Sequence, residues 1–180
     1  MSRHMHDDAT RRILEDRARD LARPMRSGED EDASSLLILV VGDERYGIDI
    51  NAVGETRPLT GLAPLPHAPP FWIGLVNVRG RLCPVLDLGR YLQVPESESS
   101  SLPAGDRRML VVVAVVGLTV GLMVDAVGEI RRVPMRSMRR SAADSLGGAG
   151  TAILGVTDDL VSVLDVEALL ADPSLIVKGR

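Results

Sequence analysis

One cysteine, Cys83, is all the sequence offers for crosslinking. It excludes an internal disulfide and fits a reducing compartment. Aromatic residues are nearly as scarce: Tyr46, Phe71, Trp72 and Tyr91 are the four. The core must therefore be built from Val, Leu and Ile. That favours β-structure, because β-branched side chains pack well on a pleated surface. Lysine occurs once, at Lys178, and the other strong cations are arginines. The planar guanidinium suits protein–protein contacts better than an ammonium does, and codon usage accounts for the skew equally well. The net charge of −4 leaves no basic field for nucleic acid or anionic lipid. Long apolar runs are missing too. The stretch 109–116 is far too short to span a bilayer, and the charged N-terminal residues lack the apolar core of a signal peptide. A cytoplasmic protein with no membrane insertion is expected.

Catalytic chemistry is equally thin. His4 and His6 stand near the terminus with no further ligand beside them, and His67 is the remaining histidine, in a proline-rich loop. There is no Ser/His/Asp set, no Walker loop and no Cys/His cluster. No metal site, cofactor or catalytic residue is expected.

What the sequence does have is a repeat. Residues 46–57 read Tyr-Gly-Ile-Asp-Ile-Asn-Ala-Val-Gly-Glu-Thr-Arg, and residues 120–131 read Val-Gly-Leu-Met-Val-Asp-Ala-Val-Gly-Glu-Ile-Arg. The offset is 74, and six of the twelve positions are identical. The apolar runs 36–41 and 110–115 align at the same offset. Further on, Ile73-Gly74-Leu75-Val76 with Val85-Leu86-Asp87-Leu88 matches Leu154-Gly155-Val156 with Val163-Leu164-Asp165-Val166. Segments recurring in one order mark an internal duplication, near 36–92 and 110–170.

In chain order, residues 9–22 predict a helix with a narrow stripe of Ile13, Leu14, Ala18 and Leu21, stopped by Pro24. An acidic linker runs to residue 34, and the folded domain spans 35–172, followed by a tail at 173–180. Hairpins are expected at 36–50, 73–86, 109–124 and 153–164, with short strands at 53–57 and 127–133. Pro84 inside a strand predicts a sheet edge or a bulge there. Asp87 and Asp165 predict N-caps of two short helices. Five short strands per half, without long helices, indicate a mainly β fold of two small antiparallel barrels.

Asp87 and Asp125 follow apolar strand ends, which raises a paired-carboxylate hydrolase as an alternative. Neither has the neighbouring hydroxyl that orients such a carboxylate. The more informative polar residues are Asn77, Arg79 and Gly80 at a hairpin tip, and Val53, Glu55 and Arg57 on a short strand beside a stiff loop. They suit recognition of another protein through an arginine anchor, or an ordinary charged turn.

These stretches resemble the CheW family of chemotaxis coupling proteins. The resemblance lies in Tyr46-Gly47-Ile48-Asp49-Ile50, Val53-Gly54-Glu55-Thr56-Arg57, Gly74-Leu75-Val76-Asn77-Val78-Arg79-Gly80, Pro84-Val85-Leu86-Asp87-Leu88 and Gly121-Leu122-Met123-Val124-Asp125. It implies two intertwined five-stranded SH3-like barrels related by a pseudo-twofold, without enzymatic activity. It also implies two partners, the cytoplasmic tip of a chemoreceptor and the regulatory domain of a CheA-type histidine kinase. Recruitment to receptor arrays at the inner face of the membrane follows, as does a receptor/kinase-binding set of Val53, Glu55, Arg57, Asn77, Arg79 and Gly80. Adaptors of non-flagellar systems, for pilus motility or second-messenger control, share the pattern. The chain departs from it at Val78, where the family commonly has Leu, and at Gly89, where Arg is common.

Overall fold

A computed structural model describes residues 32–95, 108–115, 117–139 and 152–175. The helix expected over 9–22, most of the acidic linker, and the loops at 96–106 and 141–150 lie outside the described residues. Ten strands follow in order: β1 (Ala33–Val41), β2 (Glu44–Asp49), β3 (Val53–Pro58), β4 (Trp72–Val78), β5 (Arg81–Asp87), β6 (Met109–Val115), β7 (Leu118–Val124), β8 (Ala126–Pro134), β9 (Ile153–Val156) and β10 (Val161–Leu164). Helix α1 (Leu88–Leu92) follows β5, and α2 (Val166–Leu170) follows β10. Both start where the sequence put a cap. The Asp87 carboxylate accepts the Arg90 N–H at 3.0 Å, and Asp165 accepts the Ala168 N–H at 3.0 Å. Among the described residues no helix is long and apolar enough to cross a membrane.

The strands form two five-stranded sheets, in the orders β8-β1-β2-β10-β9 and β3-β6-β7-β5-β4. Exchange each strand for its counterpart in the other half (β1 for β6, β2 for β7, and so on) and the first order becomes the second. The duplication is thus written into the topology, and the halves are intertwined, because each sheet takes strands from both. One expectation is corrected here: the sheets are not purely antiparallel. Strand β10 runs parallel to β2, and β5 runs parallel to β7. A parallel neighbour becomes possible because the partner strand arrives from the other repeat, not through a hairpin.

Equivalent glycines share these pairings. Gly47 lies opposite Val163 and Gly121 opposite Val85. Each faces the same leucine of its repeat, Leu36 or Leu110.

Pro84 also departs from expectation. Strand β5 is interior to its sheet, and the irregularity in its ladder with β4 lies on β4 between Trp72 and Gly74, opposite Leu86 and Val85 and next to Pro84, not at the proline itself. The proline is tolerated because pairing with β7 begins only at Val85.

Three apolar clusters explain the unbroken apolar runs. Leu36, Ile38, Val133, Val161 and Val163 fill the first sheet, and Val76, Cys83, Val85, Leu110, Val112 and Met123 fill the second. The intervening residues Leu37, Leu39, Val41, Val111 and Val113 point the other way, into a larger cluster shared by both sheets. Strands β1 and β6 are therefore buried on both faces and cannot alternate with polar residues. Leu39 and Leu122 are fully buried, and truncating either to alanine would cost about 2–5 kcal/mol.

Candidate functional site

Each sheet has a strand at one edge and a hairpin at the other, and the two edges meet. In the second sheet β3 is one edge, and β4, with its turn into β5, forms the opposite edge. The turn is sharp: Arg79 and Gly80 have φ of 51° and 84°. Two consecutive positive φ angles match the twist of a two-residue hairpin, and glycine adopts its share without steric cost. Asn77 locks the turn by accepting the Gly80 N–H at 2.7 Å. The Arg79 guanidinium then reaches Glu55 on β3, with Nη2 at 2.7 Å from Oε2. Arg79 stays 80% exposed, whereas Glu55 is 20% exposed.

Four of the six residues singled out from sequence come together here. Arg79, Gly80 and Asn77 form the tip, and Glu55 meets it from β3. Val53 precedes Glu55 across a bulge at Gly54 that turns it to the opposite face, where it pairs with Val113 and packs against the shared core. Arg57 lies on the face of Glu55, two residues further along β3 and paired with Leu110. Below them the Cys83 thiol is buried. Burial pushes its pKa up, and the nearby Glu55 carboxylate adds to that. The thiol stays protonated and unreactive.

The first sheet closes with the charges reversed. Arg131 on β8 meets Asp159 at the β9–β10 turn and also Glu129 at 2.7 Å. The Thr157 hydroxyl, then Arg131, hold the Asp159 carboxyl below its ordinary value. Nearby, Arg139 lies 3.5 Å from Asp158.

The two aspartates of the hydrolase alternative serve the fold. Asp87 caps α1 and lies 3.3 Å from Arg90 and 3.9 Å from Arg108. Asp125 accepts the Gly42 N–H at 2.7 Å. Each carboxylate orders backbone or side chains of its own surroundings.

Sequence reasoning missed two features. Residues crossing the free edges of β4 and β9 make matching backbone bridges, Ala63 with Leu75 and Arg139 with Val156. A Cβ at Gly74 would lie 2.3 Å from the Ala63 carbonyl oxygen, and one at Gly155 2.7 Å from that of Arg139. The recurrence of both glycines in the repeat was the available signal. The other is a C-terminal clip, in which Tyr91 donates to Asp172 at 2.6 Å and Trp72 Nε1 donates to the Leu175 carbonyl at 3.1 Å. The aromatics appeared in the sequence only as scarce, without a pattern to join them.

The family model for the CheW-like domain matches residues 35–174. The chain belongs to the CheW-like domain family. The chemotaxis protein CheW of Rhizobium meliloti (strain 1021) is 28% identical over 137 residues, 74% of this chain and 85% of that protein. Protein FrzA of Myxococcus xanthus is 32% identical over 137 residues, 72% of this chain and 81% of that protein. The fold matches the crystal structure of the scaffolding protein TtCheW from Thermoanaerobacter tengcongensis with a TM-score of 0.66 at 23% identity, covering 78% of this chain and 94% of that one. The CheW-like family is one of scaffolds and adaptors, so the surface just described is to be judged by what it can dock.

Proposed function

We infer that this protein is a non-catalytic adaptor of chemosensory signalling that couples receptors to a histidine kinase. The observation that carries this reading is the family match across 35–174, which spans both sheets. The receptor's cytoplasmic tip docks on the surface of Val53, Glu55, Arg57, Asn77, Arg79 and Gly80. The kinase's regulatory domain engages a separate surface, so that both bind at once. The protein works in the cytoplasm and is recruited to receptor arrays at the inner face of the membrane.

The geometry supports the receptor assignment. An exposed guanidinium held by a partly buried carboxylate is ordered before a partner arrives, which lowers the entropy lost on docking. Calorimetric titration with the kinase regulatory domain, with a receptor tip fragment, and with each in the presence of the other tests the reading. Both partners should bind, and neither should displace the other. Mutual exclusion would overturn coupling by simultaneous binding.

A second reading differs in output only. One relative, FrzA, carries a name other than CheW. An adaptor of a non-flagellar system, controlling pilus motility or a second messenger, would use the same two surfaces.

A further inference from the structure

The chain passes from one sheet to the other at two places that the repeat makes equivalent. Between β2 and β3 it turns through Ile50–Ala52, and between β7 and β8 it turns on the single residue Asp125. Asn51 and Asp125 occupy the same position of the repeat. The first crossing is closed on itself, because the Asn51 N–H and side-chain amide both donate to Asp49 Oδ1 at 2.8 Å. The second reaches outward. The Asp125 N–H donates to the Val40 carbonyl at 3.0 Å, and its carboxylate accepts the Gly42 N–H at 2.7 Å. Val40 and Gly42 belong to β1 and its turn into β2, in the first sheet, whereas Asp125 follows β7, the middle strand of the second. The same turn abuts the segment that leaves the second sheet through β5 and α1. A Cβ at Gly42 would lie 3.2 Å from both the Pro95 carbonyl oxygen and Val94 Cγ1, and one at Gly89 would lie 3.0 Å from Val41 Cγ1. Glycine at both positions permits the close approach. The β1–β2 turn is thus held to the second sheet by an aspartate after β7 and by packing against α1 and the residues beyond it.

We propose that Asp125 is a positioning residue for coupling: with Gly42 and Gly89 it makes a stiff joint that fixes the angle between the two sheets. The joint thereby fixes the mutual orientation of partners docked on different sheets. The inference rests on the adaptor reading, in which the receptor surface lies on the second sheet, and adds that control of the kinase passes through the first. Binding both partners only brings them together. Passing the receptor's state to the kinase needs a defined geometry, because a freely swinging joint averages orientation away. A carboxylate accepting a backbone N–H makes a charge-assisted, directional bond that suits such a lock. Both groups that Asp125 holds are main chain, so the joint is set by the backbone of β1 and its turn.

The joint is tested on the full chain by a distance between spin labels on the two sheets. Thr56→Cys on β3 and Leu154→Cys on β9, both exposed, carry the labels in a Cys83→Ala background. Asp125→Ala removes the acceptor and should broaden the distance distribution. Asp125→Asn keeps an acceptor oxygen and should restore it. Gly89→Ala should shift it by moving α1 off Val41, and it favours α1 locally, so it decides the matter if Asp125→Ala does not fold. A bond that merely adds stability would lower the melting temperature and leave the distribution narrow. Without labels, Asp125→Ala should bind a receptor tip fragment and the kinase regulatory domain within about threefold of wild type. On receptor-bearing membranes it should nevertheless lose receptor control of kinase phosphorylation, and Asp125→Asn should regain it. An unchanged distribution, or a changed one with receptor control intact, overturns the proposal while the adaptor reading stands. Loss of either separate affinity would make Asp125 part of a docking surface and overturn its positioning role. If the wild-type protein itself fails to place the kinase under receptor control, the adaptor reading falls, and this proposal with it.

Discussion

Arg79 Nη2 lies 2.7 Å from Glu55 Oε2, and this contact joins opposite edges of one sheet. Its counterpart in the other sheet joins Arg131 to Asp159. In one case the carboxylate is on the edge strand and the cation on the hairpin turn; in the other the roles are exchanged. The duplicated fold thus closes its two sheets with ion pairs of opposite polarity, and in one of them the more exposed partner is an arginine at a hairpin tip.

That tip leads to an asymmetric prediction. An ion pair this exposed adds little to stability, so Arg79→Glu should leave unfolding within about 0.5 kcal/mol of wild type. Losing an interface arginine costs on the order of 2 kcal/mol, about thirtyfold in affinity. Receptor affinity should therefore fall at least tenfold while kinase affinity holds. Separate titrations on the purified variant decide it, and an unfolded variant would make Arg79 a structural residue.

The crossing bridges predict where small additions are not tolerated. In Gly74→Ala and Gly155→Ala the new Cβ meets a backbone oxygen at 2.3 Å and 2.7 Å. Each should lose about 1–3 kcal/mol, the usual cost of overpacking. At Gly54 the nearest atom is 3.6 Å away, so Gly54→Ala is the control. Chemical denaturation of the three variants should rank Gly54→Ala the most stable; equal stabilities would show that the edge loops yield freely.

The C-terminal clip predicts a pH dependence. The Tyr91 hydroxyl, then the Ser174 N–H, hold the Asp172 carboxyl below its ordinary value. A depressed carboxylate contributes stability above its unfolded pKa of about 4 and loses it as pH falls through the folded value. Tyr91→Phe removes the main cause and should cost about 1–2 kcal/mol near neutrality. The gap in melting temperature between wild type and Tyr91→Phe should narrow as pH drops below about 4. A gap independent of pH would show that the hydroxyl does not act through the charge.

Much of this architecture was legible in the sequence. The repeat gave equivalent strands, Asp87 and Asp165 announced two caps, and Asn77, Arg79 and Gly80 announced a tight tip. These are local signals, read from neighbours in the chain. The exchange of strands between halves was not legible from pattern, because equivalent strands carry equivalent patterns and either pairing buries the same residues. The resemblance supplied the word intertwined; the strand order supplies the fact. Pro84 misled because a proline reports a missing N–H without saying which neighbour begins where. Glu55 with Arg79, and Tyr91 with Asp172, are distant in sequence, so only closure of the fold brings them together.

The central claim is that this protein physically links receptor and kinase. Membranes bearing the receptor, mixed with the purified kinase and sedimented with and without this protein, test it most directly. The account predicts that the kinase pellets with the membranes when the protein is present and stays in the supernatant when it is absent or replaced by Arg79→Glu. Equal amounts of kinase in the pellet under all three conditions would contradict it.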